Sequence, residues 1–167
     1  PYEIRPILEA VLDRGSLFEI GRAWGRSIVT ALARVNGLPV AAIASDPGQM
    51  GGTWTAAASR KMARLVELAE TFRLPVVHCV DVGGFTIGSQ AEKAGTIRDG
   101  TRAIATIYQS TVPWCVVILR RAFGVAPVGL AEVELAGGGP LVVGQVVGGM
   151  GGEQLVERIG VAGRIEQ

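Results

Sequence analysis

Histidine is almost missing from this chain: 167 residues contain one, His78. A Ser-His-Asp or Cys-His triad therefore has a single candidate base. That residue lies between Val77 and Cys79 in an apolar stretch, the setting of a core histidine rather than a free one. Cysteine is scarce as well. Cys79 and Cys115 each sit in an apolar run, and there is no CxxC and no Cys/His cluster. This argues against a zinc site and for free thiols buried in a reducing compartment. Aromatics make up 5% of the residues and hydrophobic residues 49%, so a core must be built from Ala, Val, Ile and Leu. Excess charge is missing too. Sixteen basic residues against fifteen acidic ones leave a net charge of +1, no electrostatic footprint for nucleic acid or an anionic membrane. No apolar run approaches the roughly 20 residues of a membrane span, and no signal-peptide pattern occurs. The expected location is cytoplasmic, with the mitochondrial matrix left open. Pro1 rather than Met opens the chain, as expected for a piece of a longer protein.

What is present is glycine and a repeating order of elements. The 24 glycines imply tight turns and close backbone approaches. Residues 2–14 carry Ile4, Ile7, Leu8, Val11 and Leu12 at helical spacing, stopped by Gly15. A short extended segment follows at 17–20. Two apolar runs, 27–35 and 39–44, flank Asn36-Gly37, which tolerates positive φ at both central positions and so predicts a β-hairpin. Residues 46–53 read as a Gly-rich loop. The spacing predicts an amphipathic helix over 57–72, with Met62, Leu65, Val66, Ala69 and Phe72 on its apolar face and Arg60, Lys61, Arg64, Glu67 and Glu70 elsewhere. A buried strand over 75–82, a Gly-rich loop over 83–88, a second helix over 90–109 and a buried strand over 114–119 complete a βαβ pattern. That order implies crossovers and a partly parallel sheet. Short strands at 130–135 and 141–147 and a short helix at 153–159 end the chain, which reads as one domain over 1–167.

Side chains suited to catalysis are few. Gly148-Gly149-Met150-Gly151-Gly152 precedes a helix but lacks the Lys-Ser/Thr of a P-loop, and its GxGxxG ends in Gln154, so it reads as a tight connection. Arg120-Arg121-Ala122-Phe123-Gly124-Val125-Ala126 follows a buried strand. It offers chiefly backbone N–H groups, the material of an anion or oxyanion hole, although many strand-to-helix turns look alike.

Several segments together carry a resemblance. Arg34-Val35-Asn36-Gly37-Leu38-Pro39-Val40 resembles the hairpin of the biotin-dependent acyl-CoA carboxyltransferases, and Ala58-Ser59-Arg60-Lys61-Met62-Ala63-Arg64-Leu65 that family's next helix. Leu74-Pro75-Val76-Val77 with Asp81-Val82-Gly83-Gly84-Phe85 resembles its strand and "DxPGF" loop. Gly95-Thr96-Ile97-Arg98-Asp99-Gly100 resembles its "GxIRxG" helix start, and Thr111-Val112-Pro113 with the segment from Arg120 to Gly124 completes the order. Pro1-Tyr2-Glu3-Ile4-Arg5 is similar to the opening of the family's C-terminal domain. The match is close over 1–126 and loose over 127–167.

The resemblance implies a crotonase/ClpP-like α/β fold, a β-β-α superhelix with a partly parallel sheet and packed helices. It implies carboxyl transfer from carboxybiotin to an acyl-CoA, with this chain supplying the biotin-side half of the site. By position, the backbone amides of Val125 and Ala126, beside Gly124, face the biotin oxygen. Gly83, Gly84 and Phe85 wall the cleft, with Arg98 among the binding residues, and no metal is involved. The chain departs from the family pattern at Gly83, where Pro is usual, at Val125, where Gly is frequent, and at Pro127 and Val128, which leave the acyl pocket unassigned. Implied partners are a biotin carboxyl carrier domain, a biotin carboxylase and an N-terminal carboxyltransferase half, in a homo-oligomer. Glu67, Glu70, Arg98 and Arg102 are expected on helix faces that meet a partner. Two other readings compete. One is a crotonase-like hydratase or decarboxylase acting on CoA thioesters, with Glu132 or Glu134 as its carboxylate; the other is a non-catalytic assembly partner that keeps the fold.

Overall fold

The computed structural model describes residues 2–123 and, as backbone alone, residues 141–145. The expected strands and helix at 130–135 and 153–159 lie outside these, as do residues 146 and 147. Helix α1 is Ile4–Val11, and strands β1, β2 and β3 are Phe18–Glu19, Ile28–Val35 and Leu38–Ser45. Helix α2 is Ala56–Phe72, strand β4 is Val76–Val82, helices α3 and α4 are Ser89–Ala94 and Thr96–Tyr108, and strands β5 and β6 are Trp114–Ala122 and Leu141–Gln145. The six strands form one sheet in sequence order. β1, β2 and β3 pair antiparallel, while β3 to β6 run parallel. The mixed sheet follows from the connections. The two-residue turn at Asn36-Gly37, with φ of 51° and 83°, joins β2 to β3 as a hairpin. Helical crossovers, α2 and then α3 with α4, return the chain to the same end before β4 and β5.

Alternation along the strands sorts side chains between two cores. Ile28, Ala41, Ile43, Val76, Val80, Val82, Trp114 and Val116 face α2 and α4; Val29, Ala31, Ala33, Val35, Val40, Ala42, Ala44, Val77, Cys79 and Val117 face the opposite way, toward Ile4, Leu8 and Val11 of α1. Because β4 is buried along its whole length, it is apolar on both faces apart from His78 and Asp81. Helix α2 starts at Thr55, whose hydroxyl accepts the N–H of Ala58 at 3.1 Å, and ends at Arg73 in a left-handed conformation. Among the described residues no helix is long and apolar enough to cross a membrane.

Several expectations change here. The single helix over 90–109 is two, because Gly95 adopts a φ of 76° and breaks the run. The loop at 46–53 holds a short 3-10 turn, Met50–Gly52. Lys61 belongs to the core face of α2, not the polar face. It is 4% exposed, and its ammonium donates to the Ile28 carbonyl at 2.7 Å. Burial pulls its pKa below the usual lysine range, an effect Glu19 and Asp46 partly offset. Those two carboxylates are themselves held by Arg5, at 2.8 Å to Glu19 and 2.9 Å to Asp46. Glu67 and Arg102 pair with each other across α2 and α4 at 3.4 Å. Glu70 is committed to the turn before β5, accepting from the Ser110 hydroxyl at 2.6 Å and the Val112 N–H at 3.1 Å. Its packing role follows from the next bond in the chain, in which Trp114 Nε1 donates to Ser110 at 2.9 Å.

His78 is the core residue expected. It faces α2 and α4 from the middle of β4, 1% exposed and 6.2 Å from the Trp114 ring, and among the described residues its Nδ1 has no hydrogen-bond partner. Burial pushes its pKa down to about 3. The folded chain thus keeps His78 neutral while the unfolded chain binds a proton below about 6.5. Its contribution to stability is intact above pH 6.5 and is lost as pH falls toward 3. In urea titrations between pH 6 and 4, His78→Leu should remove a slope approaching about 1.4 kcal/mol per pH unit. Identical slopes in the two proteins would show that His78 accepts its proton in the folded state.

Candidate functional site

Parallel strands β3, β4 and β5 end at one edge of the sheet, and the segments that leave them meet there. This is where open α/β sheets place ligands, outside the carboxyl ends of parallel strands. The first segment leaves β3 through Asp46, whose carboxylate accepts the Gly48 N–H at 3.1 Å. It then turns through Met50, Gly51 and Gly52, with φ of 51°, 66° and 73°. At Gly52 only hydrogen fits, because a Cβ would overlap the Asp81 carbonyl at the end of β4. The turn is thereby pressed flat against the neighbouring strand.

The second segment leaves β4 at Gly83-Gly84-Phe85 and pairs with the first. Trp54 N–H donates to the Gly84 carbonyl at 2.9 Å, and the Thr86 N–H donates to the Trp54 carbonyl at 3.0 Å. The Trp54 and Phe85 rings meet edge to face with centroids 5.4 Å apart. Phe85 also packs on Gly100 of α4, where a Cβ would overlap its ring. The glycine at the end of the Gly95-to-Gly100 motif is therefore the floor on which the loop aromatic rests. The third segment leaves β5, where the N–H of Phe123 donates to the Val82 carbonyl at 3.1 Å. A Cβ on Gly84, which has a φ of 103°, would stand 3.5 Å from the Phe123 carbonyl.

The structure thus brings Gly83, Gly84 and Phe85 together with Thr53, Trp54 and Phe123. Arg98 stands apart on the first turn of α4, its guanidinium close to Gly95 and its Nε 3.4 Å from Asp99. The carboxylate of Asp99 is held more firmly by Arg60 of α2. Gly124, Val125 and Ala126 lie outside the described residues. Arg120 and Arg121 do not follow the strand but belong to it, because β5 continues to Ala122. The register jumps there, from Val80 opposite Ile118 to Val82 opposite Ala122. This bulge re-aims the two arginines. Arg121 Nε donates to Asp81 Oδ1 at 2.8 Å and Arg120 Nε to Oδ2 at 3.1 Å. Burial alone raises the carboxyl pKa of Asp81, and the arginine hydrogen bonds outweigh it, so that the pKa falls below the ordinary value. The roles of Gly52, Trp54 and the Asp81 cluster were not read from sequence. Their signal was an acidic residue in an apolar strand and an Arg-Arg pair in the next.

This glycine-lined edge is an arrangement of backbone groups, with the one histidine buried away from it. A match to the carboxyl transferase domain family spans residues 1–159. The chain belongs to that family. It is 37% identical over 123 residues to the methylmalonyl-CoA carboxyltransferase 12S subunit of Propionibacterium freudenreichii subsp. shermanii, covering 74% of this chain and 24% of that protein. It is 29% identical over 162 residues to the propionyl-CoA carboxylase beta chain of Roseobacter denitrificans, covering 95% and 32%. Among solved structures, the transcarboxylase 12S hexamer core superposes with a TM-score of 0.79 at 31% identity, over 99% of this chain and 32% of that one. The geranyl-CoA carboxylase beta subunit of P. aeruginosa shares the fold, with a TM-score of 0.72 at 21% identity. The expected crotonase-like layered α/β fold is therefore the fold of this chain. It spans about a quarter of the length of several of the relatives it matches.

The Phe85–Gly100 contact can be tested by a double-mutant cycle. Gly100→Ala should destabilise the protein by about 1–3 kcal/mol, since overpacking outweighs the gain in helix propensity of about 1 kcal/mol. In a Phe85→Ala background the same change should stabilise by up to about 1 kcal/mol. The measurement is urea unfolding followed by circular dichroism, and additivity of the two changes would refute the contact.

Proposed function

We propose that this chain is the C-terminal-type half of an acyl-CoA carboxyltransferase, forming one domain over 1–167 and supplying the biotin-side half of the site. The observation that carries this reading is the glycine-lined junction at the ends of β3, β4 and β5, where Gly52 and Gly84 leave no room for a Cβ or bring backbone within van der Waals range. Such an edge presents peptide groups to a ligand, and backbone donors suit a reaction that develops negative charge on oxygen. Its near neighbours in sequence are a methylmalonyl-CoA carboxyltransferase and propionyl-CoA carboxylase chains, which support an acyl-CoA as substrate.

The close-packed glycine backbone at this edge, with Gly52 on the Asp81 carbonyl and Gly84 near the Phe123 carbonyl, suits a small planar polar group such as a ureido ring. When bound, carboxybiotin supplies the carboxyl group and a ring nitrogen able to accept the α-proton of the acyl-CoA. This chain's part is to hold and polarise. The resemblance assigns the contact with the biotin oxygen to the N–H groups of Val125 and Ala126, beside Gly124, all three outside the described residues. Pro127 has no N–H, so the donor pair cannot shift one residue onward. Gly83, Gly84 and Phe85 wall the cleft, the Phe85 ring being fixed by Trp54 and Gly100. Arg98, with a side chain 78% exposed, serves at the rim rather than at the reacting atoms. Backbone amides do not titrate, and burial takes His78 down to about 3 and Cys79 up to about 12. Neither His78 nor Cys79 is therefore a base that titrates near neutral pH. A biotin carboxyl carrier domain delivers the cofactor from a biotin carboxylase, and an N-terminal carboxyltransferase half completes the cleft in a homo-oligomer.

The test is carboxyl transfer from carboxybiotin in the complete enzyme, with folding followed by circular dichroism. Ala126→Pro should lower kcat by about 10²–10³, the effect of losing one oxyanion-hole donor, about 3–4 kcal/mol. Val125→Gly should retain activity, because it keeps the N–H and widens the approach. His78→Gln should lower stability and leave the kcat of the folded enzyme largely intact. If folded His78→Gln is inactive while Ala126→Pro turns over normally, a side-chain acid/base mechanism replaces this one.

A further inference from the structure

The end of β5 holds two adjacent arginines on one buried carboxylate, and they are not equivalent. Asp81 is 0% exposed. Arg120 takes its Oδ2 through Nε and Nη2, both at 3.1 Å, and stacks over the Tyr2 ring at 5.6 Å. Arg121 takes Oδ1 through Nε at 2.8 Å and spends Nη2 on the Gly51 carbonyl at 3.1 Å. Arg120 thus ties β5 to β4 and to the chain's beginning, whereas Arg121 ties β5 to β4 and to the turn that leaves β3. A side chain can serve both acceptors at once because the guanidinium is a planar fork with donors in fixed directions; an ammonium is a point charge and cannot reproduce the pair.

We propose that Arg121 is a positioning residue for carboxyl transfer, locking the Gly51 turn to the ends of β4 and β5 so that the three segments lining the site keep one relative placement. This rests on the carboxyltransferase reading above. The chain of contacts is continuous. From Gly51 the turn runs to Gly52, pressed on the Asp81 carbonyl, and on to Trp54, which pairs with Gly84 and Thr86. On the other side Arg121 stands two residues before Phe123, whose N–H is held by Val82. Met50 supplies a reason for the lock. A non-glycine residue at a φ of 51° is a disfavoured conformation that persists only where neighbouring contacts hold it. With Arg121 removed, the Gly51 carbonyl loses its partner and the turn is free to relax toward an ordinary backbone. Displacement of a site group by about 1 Å can lower a rate about 100-fold.

The experiment compares Arg121→Lys, Arg121→Met and Arg120→Met in the complete enzyme. The two Arg121 variants should lose about 10–100-fold in kcat with the KM for acyl-CoA changed less than about twofold, while Arg120→Met loses far less. A role limited to neutralising Asp81 predicts a different pattern: rescue by Lys, or equal losses for Arg120→Met and Arg121→Met. Either outcome overturns the proposal. Amide hydrogen exchange gives a readout independent of turnover. Faster exchange over 50–54 and 84–86 in the Arg121 variants, and not in Arg120→Met, is expected; unchanged protection there refutes the lock whatever the kinetics. A wild-type complete enzyme that transfers no carboxyl group overturns the functional reading and the catalytic part of this inference with it. The exchange data then still decide whether Arg121 holds the edge together.

Discussion

A carboxylate with no access to water stays ionised inside a protein only if positive groups and hydrogen bonds replace its hydration. Asp81 imposes that requirement on the edge of the sheet where three parallel strands end. It is met by two arginines from the next strand, which lie where β5 bulges opposite the end of β4. The second bond of Arg121 reaches back to the turn after β3. Breaking one partner of such a cluster leaves a buried charge uncompensated, so its members are interdependent in a way that surface ion pairs are not. The ion pairs on the outer faces of α2 and α4, such as Arg102 with Glu67, carry no comparable obligation.

Behind that edge the fold is a two-sided sheet whose strands contribute alternately to two cores. Small residues make this possible. Ala41, Ala58, Ala63 and Ala69 let helix α2 lie close on the sheet, and Gly100 lets α4 accept the Phe85 ring. Close approach of backbone to backbone is also what a site made of peptide groups needs. The low aromatic content and the high glycine count thus belong to the same design as the chemistry. The two aromatics that are fully used near the site, Trp54 and Phe85, brace loops rather than present reactive groups.

Much of this was legible along the chain. The hairpin at Asn36-Gly37, the helix over α2 and the buried strands β4 and β5 follow from patterns of period two and 3.6 and from local turn chemistry, which act between near neighbours. His78 was legible as a core residue for the same reason: Val77 and Cys79 on either side of it are apolar. The family was legible because its motifs occur in order. The misreadings share a different cause. Lys61 has the composition of a surface residue, and only the nearness of the Ile28 carbonyl, thirty-three positions away, gives its ammonium a buried acceptor. Glu70 has the spacing of an exposed helix charge, yet it caps a turn some forty residues later. Gly95 sits inside a helical pattern, yet it adopts a φ of 76° and separates α3 from α4.

The sequence by itself determined the element types, the parallel crossovers and the absence of a free histidine at the site, since each depends on residue type and short-range spacing. Tertiary structure alone decided which polar groups satisfy one another. That Asp81 pairs with Arg120 and Arg121, that Arg121 also holds Gly51, and that Gly100 makes room for Phe85 depend on strand register and a bulge. A one-residue change of register reverses the direction of every side chain on a strand, and nothing in local composition records it.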